Sequence, residues 1–191
     1  RKISAEAYDF IHRCCGSYEA QKADAIYRFV QEGLRMGRAV MSHLTAPYMQ
    51  ILFAIERNFT NESHFFIEIL RFEELENGTL FGRINPKSEV LPYLADHFAD
   101  RFAGEQWVIA DTVHRTVLLH KANYKTVYLS MDEVDMDELT LTYSEDEKQL
   151  QKLWKLFVDT IAIKERVNHK LQRQMLPLRF RKYMKEFSES E

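Results

Sequence analysis

Residues 65–84 read FFIEILRFEELENGTLFGRI. At the centre, Glu76-Asn77-Gly78-Thr79 is a turn signal, because Asn and Gly accept the positive φ that a tight hairpin turn requires. The dense apolar run at 65–72, rich in β-branched and aromatic residues, fits a buried strand. Residues 79–84 fit its return strand, which Pro86 ends. Further on, Ser88 opens a helix with Leu91, Leu94, Phe98 and Phe102 on one side, and Gly104 stops it. Three short strands follow at 107–111, 116–119 and 125–129, joined by turns at His114-Arg115 and Ala122-Asn123. The order is ββαβββ. The hairpin spacing predicts a five-stranded, mainly antiparallel sheet with one crossing helix.

The chain on either side of this unit reads helical, so the fold class is α+β. Ser4 caps a first helix with Ala7, Tyr8, Phe10 and Ile11 as its apolar positions. A second spans 18–37, with a stripe of Ala23, Ile26, Tyr27, Val30 and Leu34. Thr45 and Pro47 start a third, running through Ile55. Beyond the sheet, residues 131–147 hold eight acids and no Lys or Arg, the composition of a solvated connector or a mobile flap. Ser144 and Glu147 form a capping-box pattern. The helix they open carries Leu150, Leu153, Trp154, Phe157 and Ile161 on one face, a stripe that predicts core packing. Pro177 opens a last helix with Phe180, Tyr183, Met184 and Phe187 turned inward. The organisation is thus a helical part at 1–60, the sheet with its helix at 61–130, the acidic connector at 131–147 and C-terminal helices at 148–191, within one compact domain.

The 191 residues are 46% hydrophobic and 13% aromatic, enough for a packed core and too apolar for wholesale disorder. No apolar run approaches the ~18 residues of a membrane span. Arg1 stands where a Met would begin a chain, and no signal-peptide pattern follows, so the sequence reads as starting inside a longer protein. The two cysteines, Cys14 and Cys15, are adjacent and close no useful loop, which fits a reducing, cytoplasmic setting. No cofactor motif is present: there is no P-loop, no GxGxxG and no three-cysteine cluster for an iron–sulfur centre. The seven histidines fall into no HExxH or H-x-E with C-x-x-C pattern, so no metal site is expected.

The net charge of −3 hides an asymmetry. Residues 164–185 hold eight bases against the single acid Glu165, a net of +7 that leaves −10 on the rest of the chain. A basic stretch in an acidic chain points to a local anionic partner. Lys164, Arg166, His169, Lys170, Arg173, Gln174, Arg179, Arg181 and Lys182 are the candidate nucleic-acid contacts. Arg grips a phosphate with a two-pronged hydrogen bond, and Lys and Arg contacts release counterions from the strand. Gln172 and Gln174 add polar contacts, and Tyr183 adds a ring on which a base can stack. The plainer account is that these charges solvate the surface and pair with the acidic connector.

Two passages carry a resemblance. One is FFIEILRFEELENGTLFGR with VLPYLADHFADRFAGEQWVIAD. The other is LWKLFVDTIAIKERVNHKLQRQMLPLRFRKYMKEF. Together they resemble a bacterial family of DNA-metabolism or DNA-repair proteins, a domain of unknown function, over about residues 4–187. The central signature falls on His64, Arg71-Phe72, Leu94, His97-Phe98, Arg101-Phe102 and Trp107. The C-terminal one falls on Asp159 to Arg166, Asn168, residues 171–174, Pro177, Arg179 and Lys182-Tyr183. Phe65 and Ile67 depart from it, standing where relatives carry bases. The resemblance implies a neighbouring radical SAM protein as partner, and related domains fused to a uracil-DNA-glycosylase-like domain.

The leading expectation is therefore an accessory protein that holds DNA, or RNA, for such a partner, without a catalytic activity of its own. Two other classes remain open. One is an enzyme acting on a nucleobase or nucleotide, with His64 or His97 as general base beside Asp96, Asp100 and Arg101. The plainer role of those residues is a hydrogen-bonded framework holding helix to sheet. The other is a protein-interaction scaffold whose bases meet an acidic partner.

Overall fold

The computed structural model describes residues 3–133, 142–163 and 166–187. Two compact units emerge from its contacts: Arg1–Glu68 with Pro86–Leu94, and Ile69–Asn85 with Ala95–Glu191. The fold is α+β.

The first unit is helical. Ser4 caps α1 (Ala5–Gly16) by accepting from the Ala7 amide at 3.0 Å. Beside it stand α2 (Lys22–Met36) and α3 (Pro47–Ile69). Their core joins Phe10, Cys14, Ala25, Phe29, Met49, Leu52 and Ile55. The predicted stripe of α2 is rotated. Ala25, Phe29 and Gly33 are buried, while Ala23, Tyr27, Val30 and Leu34 are exposed. Tyr8 of α1 is likewise exposed rather than inward. A larger correction concerns residues 65–72. α3 does not end at Ile55 but continues to Ile69, so most of the expected first strand is helix. An apolar run is shared by buried strands and buried helices. What decides it is the burial of Leu52, Ile55, Phe59, Glu62, Ser63 and Phe66 at helical spacing. The buried Glu62 accepts from the backbone amides of Lys87 and Ser88 at 3.0 and 3.1 Å, tying α3 to the returning segment 86–94.

α4 (Leu91–Arg101), which starts three residues after Ser88, carries the chain into the second unit. There β1 (Phe72–Glu74), β2 (Leu80–Ile84), β3 (Trp107–Asp111), β4 (Thr116–His120) and β5 (Val127–Ser130) form one sheet in sequence order. Three pairings are antiparallel, and β2–β3 is parallel because α4 intervenes. The expected hairpin exists as the short β1–β2 ribbon. Gly78 sits at φ +77°, and its amide donates to Leu75 O at 2.8 Å. The sheet's two faces alternate. Leu75, Phe81, Val108, Ala110 and Val117 pack together. Across the other face, Phe72 meets Phe98, Phe102 and Trp107 edge-on at 5.3, 5.2 and 6.2 Å.

Ser144 caps α5 (Glu145–Ile161), accepting from the Glu147 amide at 3.1 Å. The reciprocal half of the capping box is not made, because Glu147 reaches the Glu74 amide at 3.3 Å instead. The α5 stripe is not core. Leu150, Leu153, Phe157 and Ile161 are exposed, and Trp154 is at 37%. Of the acidic connector, residues 134–141 lie outside the described ones. The last helix is replaced by two 3-10 turns, Leu178–Tyr183 and Lys185–Phe187, which bury Phe180 and Met184 but leave Phe187 exposed. Among the described residues, no helix is long and apolar enough to cross a membrane.

Candidate nucleic-acid interface

The basic segment lies in the second unit. Asn168 starts α6 (His169–Met175) by accepting from the Leu171 amide at 3.0 Å. Helical spacing puts Lys170, Arg173 and Gln174 on one side, with His169 one turn before Arg173. All four are exposed, as is Arg166. Among the described residues, no acidic side chain pairs with Arg166, Lys170 or Arg173. Lys164 lies outside the described residues.

After Pro177, the turn Leu178–Tyr183 exposes Arg179 and Lys182 while Phe180 points into the core. The backbone of Arg179 is held by Asn85, which donates to its carbonyl at 2.9 Å. The Arg179 guanidinium lies 4.2 Å from the Phe180 ring centre, and the Lys182 ammonium 5.0 Å from that of Tyr183. Arg181 is engaged internally: its Nε donates to Leu176 O at 3.0 Å and its guanidinium lies 4.4 Å from the Phe187 ring centre. Lys185 is also engaged, 2.6 Å from Glu73. Five bases therefore face solvent from one stretch of chain: Arg166, Lys170, Arg173, Arg179 and Lys182.

The histidine candidates are placed differently. His64 is exposed on α3 in the first unit. His97 and Arg101 stand one turn apart on α4 in the second unit. The His97 ring meets Phe98 edge-on at 5.0 Å, and its Nε2 is buried with no hydrogen-bond partner among the described residues. The exposed Arg101 lies 5.5 Å from the Phe102 ring centre. A His–carboxylate pair does occur at the β3–β4 turn, where His114 Nδ1 lies 2.6 Å from the buried Asp111. Asp111 also accepts from the amides of Val113 and His114, so the pair locks a turn.

The model of a family described as a domain of unknown function, DUF4130, matches residues 20–186. The chain belongs to this family. No curated protein matches the chain, and no solved structure does. All nine candidate nucleic-acid contacts fall within the DUF4130 match.

The DUF4130 domain holds a second cluster that sequence reasoning missed. Glu73 is 7% exposed. Its Oε2 accepts from Tyr143 Oη at 2.8 Å and from Arg83 at 3.2 Å, and Lys185 lies 2.6 Å from Oε1 as an ion pair. Arg71 pairs with Glu186 at 3.0 Å. Burial, and then the hydrogen bond to Glu73, push the Tyr143 phenol up to about 12. These partners lie 10 to 115 residues apart in sequence, so no local spacing announces them. Nor does composition single Glu73 out, since Glu74 and Glu76 stand beside it in the sequence.

Proposed function

We propose that the chain is a nucleic-acid-binding accessory module that grips a phosphate backbone through Arg166, Lys170, Arg173, Arg179 and Lys182. The observation that supports this reading is the exposure of all five on one 17-residue stretch, with no acidic partner for the α6 bases among the described residues. His169 and Gln174 add polar contacts beside them. The resemblance of the motifs to DNA-metabolism proteins favours DNA as the strand. It also gives the module its place in a reaction: holding the strand for a radical SAM or glycosylase partner.

Fluorescence anisotropy of single- and double-stranded oligonucleotides over a salt series tests the proposal. Five phosphate contacts predict a log–log salt slope of about −3.5 on a single strand and about −4.5 on a duplex. Arg173→Ala with Arg179→Ala removes two contacts and makes the single-strand slope shallower by about 1.4. An unchanged slope in that variant, or no binding at ~50 mM salt, overturns the assignment. Affinity for an acidic partner protein without affinity for oligonucleotides would establish the scaffold reading instead.

A further inference from the structure

A cavity of about 320 Å³ opens in the second unit beside the Glu73 cluster. Arg71 and Glu73 line it from the start of the sheet, Gln151 and Trp154 from α5, and Tyr183 and Lys185 from the C-terminal turns. Its volume is at the small end of the ~300–1,000 Å³ range of ligand sites, so it suits a single ring system.

The charges of the walls narrow the ligand class. Arg71 is paired with Glu186 and Lys185 with Glu73, so each cation already faces a carboxylate. A polyphosphate would find them neutralised. A neutral planar ring with hydrogen-bonding edges meets a better fit. Trp154 is partly exposed, with Phe157 tilted beside it at 5.9 Å and the Arg71 guanidinium over its ring at 4.5 Å, so an incoming base stacks on the ring in place of Arg71. Gln151 donates its amide to Glu147 at 2.7 Å, which fixes the side chain at the cavity wall and orients its carbonyl oxygen as an acceptor. Tyr183 is anchored by the 2.9 Å contact of its hydroxyl with Thr112.

We infer that this cavity receives a nucleobase, stacked against Trp154. The inference rests on the proposed nucleic-acid binding for its source. Lys182, exposed for a phosphate, and Tyr183, lining the cavity, are neighbours in one turn. A phosphate held at Lys182 is therefore one residue along the chain from the cavity wall. A free nucleoside monophosphate presents the same ring.

The test is tryptophan fluorescence of the whole chain, titrated with a single-stranded oligonucleotide and, separately, with the four deoxynucleoside monophosphates. Trp107 is fully buried, so quenching reports Trp154. Oligonucleotide binding should quench the emission. Trp154→Ala should abolish the quenching and weaken affinity about 5- to 150-fold by anisotropy, the range for one stacked base. Trp154→Phe keeps a ring and should stay within about threefold of the parent, which separates stacking from misfolding. Oligonucleotide binding with no quenching, and equal affinity in Trp154→Ala, overturns the cavity assignment and leaves the basic segment standing. Monophosphates that quench the parent saturably, without oligonucleotide binding, uphold the cavity and overturn the strand-binding reading. Binding of neither ligand overturns both.

Discussion

Replacing Glu73 by Ala should unfold the second unit at markedly lower denaturant. The carboxylate is nearly buried, accepts from Tyr143 and Arg83, and forms an ion pair with Lys185. Hydrogen bonds to charged groups contribute about 1.5–3 kcal/mol each, but two that share one carboxylate with an ion pair do not add. Breaking a fully buried ion pair costs about 3–5 kcal/mol. Here the cations are only partly enclosed, with Arg83 at 31% and Lys185 at 28% exposure, so water compensates part of the loss. The expected cost is about 2–3 kcal/mol, a shift of about 1 M in the urea midpoint. Both tryptophans belong to the second unit, so their fluorescence follows its unfolding. A Glu73→Ala, Lys185→Ala double-mutant cycle should give a coupling of about 1 kcal/mol or more. A loss below about 0.5 kcal/mol with additive single effects would refute the view that this cluster holds β1 to the C-terminal turns.

Other outcomes follow from the same contacts. The Tyr143 phenol titrates at about 12 in the folded chain, above its ordinary value of 10.0. The unfolded chain therefore loses that proton first, and stability falls as pH rises from 10 toward 12. Tyr143→Phe should lose less stability than the parent between pH 9 and 11, as read by urea midpoints at the two values. Cys14 is fully buried, its Sγ is 3.6 Å from Leu52 O, and burial pushes its thiol up to about 12. Ellman's reagent should therefore label one thiol, Cys15, in the folded chain and both in denaturant. Glu62→Ala leaves the Lys87 and Ser88 amides without their acceptor and should cost about 2–4 kcal/mol. Hydrogen exchange at those two amides would rise accordingly, and unchanged protection would refute the tie. Gly78→Ala has open space for a Cβ but keeps a positive φ. It should destabilise the β1–β2 turn by about 1 kcal/mol through backbone strain alone, measurable by urea unfolding.

Local chemistry made several elements of both units legible. The Asn77-Gly78 turn, the strand at Trp107–Asp111 and the caps at Ser4 and Ser144 depend on neighbours within a few residues, and all are found where the sequence puts them. The positive φ of Arg115 and Asn123 likewise marks the two expected turns. The exposed bases of α6 and the following turn were visible as a charge run, because Lys and Arg seldom bury without partners. Tertiary structure decided the rest. Whether residues 65–69 form strand or helix depends on what their side chains bury against, which an apolar run does not specify. Periodicity located the apolar stripe of α5 but could not provide a surface to cover it. The Glu73 cluster and the cavity beside it were beyond sequence reasoning for the same reason. They join β1, β2, α5 and the C-terminal turns, and contacts between distant segments form only when the chain closes on itself.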